Sequence, residues 1–221
     1  MKRLFATVFA AGLMLIGTQA FAQISISSGF MNKIITRYQP NTDAMSQSSA
    51  GLFAGAAYDY VLPVKGLSVE PGLFFEFTTL YSEDGMNLLG VSQNAVSRFS
   101  ETALNLPVML KYSTTGSDKY CAFVKFGPTM QLGLSSQTRT KDTGIIESDR
   151  TINHYKNGDY KRFDLCLGFE AGGSIGGGVL LYLGYTHGLL NIAGSGFPSD
   201  ASLMHGLFYL GLGYKMENLF K

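Results

Sequence analysis

The chain has no tryptophan, only two cysteines in 221 residues, and 15% charged residues. Its charges nearly cancel: once Lys2 and Arg3 are set aside with an amino-terminal leader, 15 basic face 16 acidic residues. That balance offers nothing to draw a polyanion such as nucleic acid. Beyond residue 22 no apolar run reaches the roughly 20 residues of a spanning helix. If the mature chain lies in a membrane, a closed β-barrel is the arrangement left, because lipid satisfies no backbone group. The glycine-rich stretch 172–178 is not followed by Lys-Ser/Thr and a helix, so it is a hairpin turn and not a phosphate cradle.

The leader itself is explicit. Lys2 and Arg3 precede an apolar core from 4 to 16, and Ala20-Phe21-Ala22 has the A-x-A form of a cleavage site. Residues 1–22 are expected to be a cleaved secretory signal peptide, and 23–221 one outer-membrane β-barrel domain. No cysteine follows the cleavage site, so the signal is not that of a lipoprotein.

Glycine (27 residues) and period-two alternation dominate the remainder. The clearest case is 101–136. There Leu104, Leu106, Val108, Leu110 and Tyr112 oppose Asn105, Pro107, Met109 and Lys111 across one run. Across the next, Tyr120, Ala122, Val124, Phe126, Pro128, Met130, Leu132 and Leu134 oppose Cys121, Phe123, Lys125, Gly127, Thr129, Gln131, Gly133 and Ser135. Side chains alternate along a strand, so this is a hairpin with one apolar face. Six further segments alternate, at 24–35, 50–61, 67–78, 163–174, 179–189 and 204–216. The connections run long, short, long, short, long, short, long, with 82–100 and 136–162 among the long ones. An up-and-down meander places all long connections at one end, as in outer-membrane barrels. The expected fold is therefore all-β, an eight-stranded antiparallel up-and-down transmembrane β-barrel. Tyr58, Tyr60, Tyr112 and Tyr120 fall at the short-turn end, where they would form an aromatic girdle. The apolar face is expected to meet lipid, while Asp59, Glu70, Glu76, Asp164, Glu170, Lys33, Lys111, Lys125 and Lys215 point inward and pair as a salt-bridged core.

Several stretches resemble the PorT-like outer-membrane β-barrel family. They are Leu104-Asn-Leu-Pro-Val-Met-Leu-Lys-Tyr112 with Phe126-Gly127-Pro128, Leu183-Gly-Tyr-Thr-His-Gly-Leu-Leu-Asn-Ile192, and Tyr209-Leu-Gly-Leu-Gly-Tyr-Lys-Met216. The resemblance implies an eight-stranded outer-membrane barrel, generally without an assigned activity. Chains of that family usually finish on an aromatic residue at the end of the last strand. Here Met216 takes that place and 217–221 extend beyond it.

Candidate chemistry is sparse. His154, His187 and His205, with Ser195, Ser199 or Ser202, would be needed for a membrane hydrolase. His187 has outward parity and His205 inward parity, so those two should not meet. His154 lies in the longest loop, and no acid stands at a spacing suited to a triad. No catalytic, cofactor or metal site is expected, and no cofactor. Cys121 and Cys166 both point inward, but their places on the paired strands put them some 30 Å apart at about 3.3 Å per residue. A disulfide needs Cα atoms within roughly 7 Å. The expected protein is a small non-enzymatic outer-membrane barrel of a Gram-negative bacterium, with a structural or surface-interaction role through its long loops. Its expected partner is the lipid bilayer, with extracellular or periplasmic protein partners unidentified. The competing readings are a membrane-embedded lipid-modifying enzyme, a soluble lipocalin-like periplasmic carrier and a narrow pore.

Overall fold

A computed structural model describes residues 23–39, 43–88, 91–114, 120–143, 148–176, 178–198 and 200–216. The expected signal peptide, Ser199 and the extension 217–221 lie outside the described residues. Nine strands follow one another: β1 (Gln23–Tyr38), β2 (Met45–Val61), β3 (Leu67–Leu88), β4 (Val91–Ser113), β5 (Tyr120–Thr143), β6 (Ser148–Asn153), β7 (Phe163–Ile175), β8 (Val179–Gly188) and β9 (Ser202–Lys215). Each strand pairs antiparallel with its sequence neighbour, except that β5 joins both β6 and β7. β1 pairs with β9, and this closes the ring of β1–β5 and β7–β9. The expected eight-stranded barrel is present. β6 is a ninth strand outside the ring, a short return hairpin on the far end of β5.

Two expectations about connections change. The stretch 82–100 is not a loop: β3 and β4 stay paired as far as Leu88↔Val91. β5 likewise runs on to Thr143 and turns back into β6. Ser, Asn and Gln interrupt the alternation there, yet the backbone ladder continues. A β-bulge at Thr102/Ala103, opposite Leu134, alters the parity of β5. Above it Ser136, not Ser135, is the residue buried inside. An added residue in one strand of a pair does this wherever it occurs.

Burial inverts the pattern of a soluble protein. Leu106, Val108, Phe126, Leu167 and Leu210 are between 38% and 54% exposed on the outside, while Lys33, Lys111, Glu76 and Asp164 are buried within. A lipocalin-like carrier would need an apolar interior and a polar exterior. The arrangement here is the reverse, which rules that reading out. Tyr112 and Tyr120 lie exposed at the short-turn end, joined by Tyr214. Gly66 and Gly176 take positive φ (78° and 61°) in two of the short turns, a conformation open chiefly to glycine.

Candidate functional site: the closed lumen and its cap

The lower lumen is a ladder of ion pairs. Lys111 Nζ donates to Asp59 Oδ2 at 2.5 Å and to Glu70 Oε2 at 2.9 Å. Lys125 pairs with Glu70 and, at 2.7 Å, with Glu170 Oε2. Lys125 and Glu170 face each other directly in the β5–β7 register, whereas Glu70 reaches Lys125 from β3, past the intervening strand. Asp59, Glu70 and Glu170 thus pair with Lys111 and Lys125 as expected, across the axis as well as between neighbours. Both ammonium groups also lie over the Phe123 ring, at 5.3 and 5.1 Å.

Packed against the ladder is an aromatic layer that the alternation did not emphasise. Met31, Phe53, Phe123, Leu180, Tyr182 and Leu207 are buried there, with Phe74 and Tyr209 against them. Phe53 meets Phe74 and Tyr209 edge-on, with centroids 6.0 and 5.7 Å apart. Two glycines make room for the tyrosines. In the β8–β9 register Tyr182 faces Gly211 and Gly184 faces Tyr209, and each ring lies over the opposite glycine, where a Cβ would collide with it. Among these groups lies a cavity of about 30 Å³ lined by Phe53, Asn105, Met109, Thr129 and Tyr209 among others. At about 10–15 Å³ each, this is room for two or so waters. Thr129 Oγ1 and Asn105 Oδ1, both buried without a protein partner, suit them.

The upper lumen is polar. Glu76 accepts from Asn105 Nδ2 at 2.6 Å and from Gln131 Nε2 at 2.8 Å. Lys33 Nζ bridges Glu101 at 2.9 Å and Gln131 Oε1 at 3.5 Å. Glu101 was not among the expected inward acids, because it begins the stretch next to a supposed loop. Beside these groups, Asp164, Cys166 and His205 converge. Their donor atoms all lie within 4.8 Å of one another. His205 Nε2 is 3.6 Å from Cys166 Sγ, and Nδ1 is 2.9 Å from Asp164 Oδ2. This last contact is an ion pair by distance only, since both atoms lack hydrogen-bond alignment. The carboxylate still favours the proton on the nearer nitrogen. Inward parity on β7 and β9 was the signal for this cluster. What hid it was that the two strands are separated by β8, and Gly188 on β8 leaves the opening through which they touch.

Two loops bond to each other across the end of the barrel opposite the short turns. The β6–β7 and β8–β9 connections bond to each other through Lys161 N–Ile192 O (2.9 Å), Gly194 N–Asp159 O (2.8 Å) and a bridge between Tyr160 and Ala193. Asn191 holds the second loop, its Oδ1 accepting from the N–H of Ala193 and of Leu203, both at 2.9 Å. Ile35, Ile192, Ala193 and Leu203 form a small apolar cluster beneath, with Tyr160 and Phe197. Tyr155 points down from the cap and donates to Glu101 Oε1 at 3.1 Å. Burial, with the Glu101 carboxylate adding to it, pushes the Tyr155 phenol well above its ordinary range and keeps it a neutral donor.

His187 and His205 do not meet, as expected. His187 is exposed on the outer wall beside Tyr185, and His205 is buried inside. His154 differs from the reading of a loop histidine with no acid at hand. Its Nε2 bonds Thr138 Oγ1 at 2.8 Å, its Nδ1 meets Asp159 Oδ2 at 2.9 Å, and its ring stacks on Tyr160 at 4.9 Å. A hydroxyl, an imidazole and a carboxylate stand in line here. The ring is wedged between Phe99 and Tyr160, so it serves to fasten the cap to the barrel rim. Among the described residues neither Ser195 nor Ser202 is recorded as a partner of a histidine.

No curated protein sequence matches this chain. Among solved structures it is similar to the attachment invasion locus protein Ail of Yersinia pestis, in complex with the heparin analogue sucrose octasulfate, at 13% identity, 88% of this chain, 98% of that chain and a TM-score of 0.40. It is also similar to Neisserial surface protein A at 11% identity, with 88% and 98% covered and a TM-score of 0.41. OprG from Pseudomonas aeruginosa is similar at 11% identity, with 89% and 96% covered and a TM-score of 0.42. The family model of the outer membrane protein beta-barrel domain matches residues 18–194. Together with a ring whose apolar side chains face outward, that match places the chain in the outer membrane. The chain belongs to the family of the outer membrane protein beta-barrel domain.

Proposed function

We propose that this protein is a non-conducting, non-enzymatic barrel that presents its extracellular end as an interaction surface. The observation that carries the reading is the contrast between its two halves. The lumen is filled by ion pairs and aromatic rings down to a cavity of about 30 Å³, while β3 and β4 continue as a paired hairpin well past the last β2–β3 pair at Ala50↔Thr79. A filled lumen has nothing to transport. A rigid ladder carried beyond the belt, with a short β6 at its edge, is a platform for contacts. The resemblance to PorT-like barrels and the A-x-A leader fit this role, with 1–22 removed on export and 23–221 as the mature barrel.

Thiol labelling of intact cells with a membrane-impermeant reagent tests it. Arg98→Cys, on the projecting part of β4, should label, and Lys65→Cys, in a short turn, should label only after lysis. Labelling of Lys65→Cys alone on intact cells would place the projecting hairpins in the periplasm and end the reading. The lipid-modifying alternative makes a separate claim, that vesicle lipids turn over and that His154→Gln abolishes the turnover. Our reading expects no turnover.

A further inference from the structure

We propose that Cys166 and His205 bind one zinc-class divalent cation in the upper lumen, with Asp164 as the residue that orients the imidazole. Where the sequence led us to expect no metal, the geometry supplies the pair of donors. Zn²⁺ sits about 2.3 Å from thiolate sulfur and about 2.0–2.1 Å from imidazole nitrogen, and tetrahedral angles then separate the two donors by roughly 3.5 Å. Cys166 Sγ and His205 Nε2 are 3.6 Å apart. Asp164 Oδ2 lies 2.9 Å from the other ring nitrogen, and a turn of the ring that aligns Nδ1–H with it would make the bond an outer carboxylate makes beside a metal-bound histidine. The Asp164 carboxylate is itself fixed, its Oδ1 accepting from the Leu190 N–H at 3.2 Å. Thr129 faces Cys166 directly in the β5–β7 register, and its buried hydroxyl has no protein partner, so it is available as an oxygen donor.

The surroundings call for positive charge. At this level the buried carboxylates are Glu76, Glu101 and Asp164, and the buried ammonium is that of Lys33, which Glu101 and Gln131 hold. Two negative charges are left over. Binding M²⁺ releases the thiol proton of Cys166 to solvent and forms the sulfur–metal bond, so the excess falls from two charges to one. Soft thiolate and imidazole select zinc-class ions over magnesium or calcium. Gly188 is what lets the site form. A Cβ there would stand 2.5 Å from Asp164 Oδ2 and 3.1 Å from His205 Nδ1. The ion would tie β7 to β9 across β8, directly below the cap.

The test uses the full mature barrel, refolded into detergent with Zn²⁺ or Co²⁺ alone and then freed of excess metal. Elemental analysis should find one equivalent, with about one proton released per ion in weak buffer. The Co²⁺ form should show a thiolate-to-metal charge-transfer band in the near ultraviolet. Cys166→Ser should abolish that band, and His205→Asn should weaken binding by about 100-fold or more. Asp164→Asn should weaken it about 10–100-fold while the band persists. Cys121→Ser and His187→Gln should bind as the parent does. Heat-modifiable gel mobility identifies variants that have folded. Should one of these not fold, the parent still decides the matter: less than a tenth of an equivalent, or a Co²⁺ spectrum without the charge-transfer band, overturns the proposal. Equal uptake by folded Cys166→Ser would also overturn it, as adventitious binding elsewhere.

Discussion

Lys125 stands between two carboxylates, Glu70 and Glu170, in the charge ladder. Replacing it with Met leaves both acids buried against fewer cations. Breaking such a pair from one side costs about 3–5 kcal/mol where water does not enter. Urea unfolding of Lys125→Met in lipid vesicles should register a loss of that order. Arg139→Met, at an exposed pair with Asp149 on the β5–β6 hairpin, should leave the midpoint unchanged. The Tyr–Gly pairs give a second residue-level test. In Gly211→Ala the new methyl meets the Tyr182 ring, so the ring must leave its place over β9 or the strands must part. We expect a lower unfolding midpoint and altered near-ultraviolet tyrosine dichroism. An unchanged midpoint would mean the aromatic layer is loosely packed.

At the scale of single strands, the lipid-facing rows carry a depth-dependent penalty. Leu106 lies midway along the spanning part of β4 and Leu134 at the end of the apolar run on β5 away from the short turns, both exposed on the outer wall. Lysine should cost about 2–4 kcal/mol at Leu106 and about 0–1 kcal/mol at Leu134. Equal costs, measured by folding into bilayers, would mean that these positions do not sample different depths. Excising 84–95 from the β3–β4 hairpin should leave barrel stability intact, because 84–88 and 91–95 lie past the last β2–β3 pair at Ala50↔Thr79, and calorimetry of the shortened protein checks this. The spanning strands were legible because lipid outside and crowding inside enforce period two on every one of them. The hairpin extensions were not, since a strand with water on both faces can be polar throughout. For the same reason Glu101 was overlooked as the partner of Lys33. The bulge opposite Leu134 has no signature in alternation, so the inward turn of Ser136 and Thr138, and with it the anchoring of His154, was out of reach.

For the molecule as a whole, register and charge act together. Cys121 pairs with Ser174 and Cys166 with Thr129, eight residues apart along β5 and so about 27 Å at ~3.4 Å per residue. Both thiols are free, and mass spectrometry of the alkylated protein should find no bridge between them. That separation was readable from the sequence to within about a turn of pleat, because a hairpin fixes antiparallel register once its ends are known. The convergence of Asp164, Cys166 and His205 was not, since it depends on two strands meeting across a third at one glycine. Ladder, aromatic layer, upper polar cluster and cap occupy the same lumen, and the proposed function requires that together they close it. Planar-bilayer recording of the purified, folded protein tests that closure most directly. The account predicts no steady conductance above the bare bilayer, with current steps emerging only when the ladder is broken, as in Lys125→Met. A stable ion-conducting channel in the unmodified protein would contradict it.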